Sequence, residues 1–181
     1  MDIVSESQEI GENKMQHNIT FNAPWGTSLK SMTTLSILIL VGVPLIGIFS
    51  GPSGNIGWIL GMIIMPLAIL IIAAFFMIRG YDLTGDTLLI RRLGRNSKLD
   101  LSRLISADVD SKAMTKSIRA FGNGGMFCFA GLFYNKKLGS YRAFATDPKR
   151  SVVLRFSNRV AVVTPDDPAE FTARVKELRG L

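Results

Sequence analysis

One cysteine, Cys128, and one histidine, His17, are all that a chain of 181 residues holds of these two types. A lone cysteine cannot build a disulfide scaffold. A zinc site draws its ligands mainly from Cys and His, and a hydrolytic triad needs a histidine beside its nucleophile. His17 falls in a polar N-terminal stretch, so neither chemistry has the residues it requires. Asp82, Asp86, Asp108, Asp110, Asp166 and Asp167 are carboxylates without metal-ligand spacing; Asp86 suits a turn and Asp167 a helix cap. No GxGxxG and no Walker-type loop occurs. The expectation is a protein with no catalytic residues, no metal and no cofactor.

Charge is missing as well from residues 31–78, a run of 48 with no Asp, Glu, Lys, Arg or His. The other 133 residues are about 26% charged, ordinary for soluble sequence. The 48% hydrophobic content is therefore concentrated in one block. Residues 31–50 and 58–78 are each long enough, at about 1.5 Å per residue, to cross the roughly 30 Å of a bilayer's hydrocarbon core. Residues 51–57, Gly-Pro-Ser-Gly-Asn-Ile-Gly, form a short uncharged turn between them. The block predicts a transmembrane helical hairpin. A signal peptide fits poorly: Asp2, Glu6, Glu9 and Glu12 outweigh Lys14 and Lys30, and a second span follows at once. A buried hairpin in a soluble core is the less favoured alternative.

Lys30 precedes the first span, and Arg79, Arg91, Arg92, Arg95 and Lys98 follow the second. The positive-inside rule then places both termini on the cytoplasmic side of the membrane. Pro44 and Pro66 are expected to kink the helices. Gly42, Gly47 and Gly61 permit close helix approach, and Gly57 with Gly61 makes a GxxxG, read as packing within the hairpin in preference to a dimer face. With no ionisable residue inside either span, a transporter or proton relay is unsupported.

Residues 79–181 suffice for one small domain. Short alternating strands separated by turns are predicted, six or seven in all. Gly85-Asp86 makes a hairpin turn, and Val152, Leu154 and Phe156 share one face. The chain ends in an amphipathic helix that opens on Asp167 as cap, Pro168 at the first position and Glu170 three residues after the cap. Its apolar stripe is Phe171, Val175 and Leu178.

Two spans, a meander of strands and the terminal Pro165-Asp166-Asp167-Pro168-x-x-Phe171 helix resemble the bacterial pleckstrin-homology-like (PH-like) domain proteins. Residues 119–127 (RAFGNGGMF), residues 134–147 (YNKKLGSYRAFATD) and Phe21-Asn22-Ala23-Pro24-Trp25 carry the resemblance, which covers about residues 20–180. It implies an α+β protein: a transmembrane hairpin, then an antiparallel β-sandwich or partly open barrel closed by a C-terminal helix, with no catalytic activity. The domain organisation expected is a polar segment 1–30, of which 19–25 packs on the domain, the hairpin 31–78, and a cytoplasmic PH-like domain 79–181.

Two features of that domain bear on function. The glycine-rich segment 121–131 has two open readings. The N–H groups of Gly122, Gly124 and Gly125 could form an anion nest flanked by Arg119, Lys136, Lys137 and Arg142. The simpler reading is a bulge where the chain crosses between sheets. Residues 127–133, uncharged and mostly apolar, fit equally a loop at the membrane interface or with a partner, or a core strand. The second feature is charge: 19 basic against 10 acidic residues over 79–181, densest at Arg91, Arg92, Arg95 and Lys98, with a second cluster at Lys136 and Lys137. Near an anionic leaflet each such cation is worth about 1 kcal/mol. No recognition helix or RNA-stacking motif accompanies the charge, so nucleic acid is not an expected partner. The reading is a non-enzymatic, membrane-anchored module that engages a protein partner or anionic lipid; an assembly subunit of a membrane complex, or a homo-oligomer, is the alternative.

Overall fold

The computed structural model describes residues 18–52 and 54–181. His17 and the acidic residues of the N-terminal tail lie outside them. Two helices are long and apolar enough to cross a membrane: α1, Thr27–Ser50, and α2, Ile56–Phe75. At about 1.5 Å per residue they reach roughly 36 and 30 Å. α1 begins four residues ahead of the charge-free run, because Ser28 and Lys30 can sit on the exposed side of a helix whose Leu29 is fully buried. The side chain of Asn55 starts α2 by accepting from the N–H of Trp58 at 3.2 Å. Pro66 lacks an N–H, and the turn ahead of it, Leu60–Ile64, widens into a π-helical segment in which Met65 N–H donates to Leu60 O. Gly47 lies against Met62, where the two helices approach closely. Gly42 and Gly61, by contrast, face open space, so Gly61 takes no part in packing within the hairpin.

Ten strands make two sheets. β1 (Ile19–Asn22), β2 (Ile78–Thr84), β3 (Thr87–Arg92) and β4 (Ser97–Asp100) pair in that order in the first. The second holds β5 (Leu104–Val109), β6 (Ile118–Gly124), β7 (Phe129–Asn135), β8 (Gly139–Ala145), β9 (Val152–Phe156) and β10 (Val160–Val163), ordered β5-β9-β10-β8-β7-β6. All pairs are antiparallel except β8 with β10. The sheets do not close on each other. A C-terminal helix, α3 (Pro168–Arg179), completes an α+β fold.

Nine strands follow the hairpin, where the sequence predicts six or seven. The glycine-rich pair β6 and β7 accounts for most of the difference. Gly122 and Gly131 oppose each other in register, with φ of +107° and +139°. A Cβ on Gly122 would stand 2.3 Å from Ala130 O, and one on Gly131 would stand 2.2 Å from Phe121 O. Only glycine permits that backbone, and the same glycines mask the strands when composition is read. Residues 127–133 accordingly run into the core, with Cys128, Phe129, Ala130 and Phe133 buried.

The period of two sorts the core. Val152, Leu154 and Phe156 face the first sheet, where they meet Leu88, Ile90, Tyr81 and Phe171 of α3. Val153 and Val162 face the other way, into a second cluster with Tyr141, Ala143, Phe133 and Leu29 of α1. The inner space is tied across by Tyr81, whose hydroxyl donates to Phe144 O at 2.6 Å and accepts from Thr164 N–H at 3.2 Å. α3 starts where its cap predicts: Asp167 Oδ1 accepts from Glu170 N–H at 2.9 Å.

β1 precedes the helices in sequence yet pairs with β2 beyond them, from Ile19↔Leu83 to Asn22↔Gly80. The hairpin is thus inserted between two neighbouring strands. Its ends are fastened to the sheets. Thr33 Oγ1 accepts from Phe127 N–H at 3.0 Å and donates to Gly125 O at 3.3 Å. Cys128 Sγ donates to Phe76 O at 3.2 Å, and Gly94 N–H to Phe75 O at 3.1 Å.

Candidate functional site

The site begins with a break in a pattern. On β3, Leu88 and Ile90 point inward and are fully buried. The next inward position is Arg92. Its guanidinium sits 5.3 Å from the centre of the Phe144 ring, a cation–π contact across the two sheets. Its Nε has no hydrogen-bond partner, and among the described residues no carboxylate pairs with it. Burial pulls this guanidinium below its ordinary pKa, and the nearby Arg142 acts in the same direction. An arginine stays charged all the same. A half-buried cation without a counterion is costly, and an anion would relieve it. Arg91, one residue earlier, projects from the opposite face and is 3.2 Å from Asp82. Two adjacent arginines therefore have opposite circumstances, one paired and one not.

Arg142 reaches the same place from β8, on the face shared with Phe144. Because the sheets are open here, Arg92 and Arg142 border a cleft of about 1570 Å³ rather than a sealed core. Lys98, Arg119 and Arg159 join them in its lining, and among the described residues no Asp or Glu does. The facing wall is apolar: Leu35 and Ile39 of α1, Ile69 and Ile72 of α2, and Phe76 just after it. One side of the cleft is thus built by the sandwich and carries one sign of charge; the other is built by the hairpin and carries none.

Of the residues singled out by sequence, Arg92, Lys98, Arg119, Gly122, Gly124, Gly125 and Arg142 line this cleft. Arg95 lies beside a smaller adjoining hollow that also touches Arg92, Lys98 and Arg142. Arg91 is on the outer face. Lys136 and Lys137 belong to the turn joining β7 to β8, away from the cleft lining. There Lys137 pairs with Asp110 and holds its carboxyl below the usual range. The glycine-rich turn spends its N–H groups internally. Gly125 N–H donates to Cys128 O at 3.1 Å, Met126 N–H to Asn123 Oδ1 at 3.0 Å, and Phe127 N–H to Thr33. Gly124 lies beneath Arg119, whose Cδ would be 2.9 Å from a Cβ at that position. Sequence reasoning missed Arg159 and the apolar wall. A signal for Arg159 exists in the Ser157-Asn158 turn, which brings it to the head of β10, beside Arg142 of β8.

Reactive groups are few. Burial pushes the Cys128 thiol up to about 12 and the Tyr81 phenol to about 12, so neither ionises near neutral pH. Among the described residues no three His, Cys, Asp or Glu side chains are placed to hold a metal ion. The arrangement can hold an anion.

A family model described as a bacterial PH domain matches residues 79–179, more than half of the chain. No curated protein and no solved structure matches.

Proposed function

The chain belongs to the bacterial PH domain family, and from that premise we propose that it is a membrane-anchored, non-enzymatic binding module that engages an anionic ligand at the cytoplasmic face of the membrane. The observation that carries this is the cleft, with five cations and no carboxylate in its described lining and with helices of membrane-spanning length as its other wall. PH domains are generally binding modules that do not catalyse, which supports the non-enzymatic reading.

The placement draws on three observations. The two helices are long and apolar enough to span. The β1–β2 pairing requires residues 22 and 80 to lie on the same side of whatever the hairpin crosses. The flanking cations, Lys30, Arg79, Arg91, Arg92, Arg95 and Lys98, support reading that side as the cytoplasm. Anionic lipid is the leading ligand, because the cleft opens where the hairpin meets the sandwich. A protein partner has one observation in its favour: β6 is an edge strand with Ile118 and Phe121 exposed, a feature that also suits an assembly subunit.

The test uses the full chain in nanodiscs. Hydrogen exchange in β3, β6 and β8 should slow when zwitterionic lipid is replaced by an anionic mixture, and the difference should shrink with salt. Equal exchange in both lipids would count against the reading. A reporter fused after Leu181 that proved to lie outside the cell would overturn the placement.

A further inference from the structure

We propose that the cleft holds one phospholipid of net negative charge taken sideways from the inner leaflet, its phosphate between Arg92 and Arg142 and one acyl chain along the wall formed by α1 and α2. This rests on the membrane placement above and adds the ligand, its stoichiometry and its pose.

The charged wall selects for phosphate. Arg92 is held by the Phe144 ring and lacks a carboxylate partner among the described residues, and Arg142 confronts it from the other sheet. Two guanidinium forks offer planar, multidentate donors suited to phosphate oxygens. Lys98 and Arg119 enlarge the positive field without narrowing the choice of headgroup.

The opposite wall favours an occupant with an apolar part. Leu35, Ile39, Ile69 and Ile72 line the cleft, and each keeps 42–60% of its surface uncovered by protein. A sugar phosphate or an acidic peptide would satisfy the cations and gain nothing from these four side chains. An acyl chain packs against them. Size agrees, since the cleft exceeds the roughly 300–1,000 Å³ usual for small-molecule pockets. Gly122 and Gly131, both in the lining, add no side chain of their own to the wall near Arg119. The site is also joint: neither the sandwich nor the hairpin builds it alone, and the hydrogen bonds of Thr33 and Cys128 fix the two walls against each other.

Native mass spectrometry of the full chain in mild detergent, with phosphatidylglycerol, phosphatidylcholine or glycerol phosphate added, tests the proposal. One phosphatidylglycerol per chain should be retained, at least tenfold more tightly than phosphatidylcholine, and glycerol phosphate should neither bind nor compete. R92Q with R142Q should weaken retention at least tenfold, while R91Q, on the outer face, should leave it unchanged. Ile39→Trp with Ile72→Trp, which fills the chain groove and spares every cation, should weaken it too. Parent-like melting of each variant shows that it is folded; should R92Q/R142Q fail that check, K98Q with R119Q gives the charge arm, with a loss of at least threefold. Equal retention of the two lipids, parent-like retention by the charge variants, or competition by glycerol phosphate as strong as by the lipid would each overturn the proposal. A chain that passes the topology and exchange tests above yet retains no lipid would sink this inference and leave the broader reading standing.

Discussion

The two ends of α1 differ both in composition, polar at the start and apolar beyond Thr34, and in what surrounds them. In its first turns Leu29 is fully buried and Thr33 nearly so, both packed on the second sheet. Further along, Leu38 and Phe49 are 65% and 85% exposed. The first end behaves as domain core and the second as a surface meant for another solvent. The hairpin is therefore more than a tether. A flexible linker would let the sandwich swing, whereas a helix whose opening residues complete the sandwich core holds it in one attitude.

The sharpest way to break the comparison is to truncate a leucine at each end. Leu29→Ala should cost about 2–5 kcal/mol of stability, as for other buried leucines, read by denaturant unfolding of the detergent-solubilised chain. Leu38→Ala in the same assay should be indistinguishable from the parent. Equal effects at both sites would show that the domain and the hairpin are not one packed unit. A smaller loss, about 1–3 kcal/mol, is expected from Thr33→Val, which leaves Phe127 N–H without its acceptor; hydrogen exchange at Phe127 should speed up in step. Least of all should follow at the turn that carries Lys136 and Lys137, where the Lys137–Asp110 pair is largely solvated. The depressed pKa of Asp110 means that its contribution is present above the ordinary carboxylate range and lost as pH falls through the folded-state value. Asp110→Asn should cost about 0.5 kcal/mol near neutral pH and flatten the acid limb of the stability profile.

Parts of this architecture are legible in the chain because local chemistry decides them. Asp167-Pro168 starts a helix by its own capping geometry, and Val152, Leu154 and Phe156 sort to one face by alternation alone. Other parts are decided at a distance. β6 and β7 are hidden by glycines whose role emerges only when Gly122 and Gly131 meet across strands. The candidate site divides in the same way. Leu88, Ile90, Arg92 is an inward series that ends on a charge, and alternation exposes it. That Arg92, Arg119 and Arg142 share a cleft, while Lys136 and Lys137 do not, depends on the order in which β8, β7 and β6 are laid down. No spacing within the chain encodes that order.

The pairing of Asn22 with Gly80 carries a consequence for biosynthesis. β1 is made some sixty residues before its neighbour, and translation delivers the chain in order. If the helices cross a membrane, the seam between β1 and β2 can be zipped only when the polypeptide has crossed it an even number of times. A nascent chain left with one helix uninserted, or stranded across the bilayer, would keep the first sheet one strand short. On the proposed membrane placement, completion of the sheet is thus a built-in inspection of insertion.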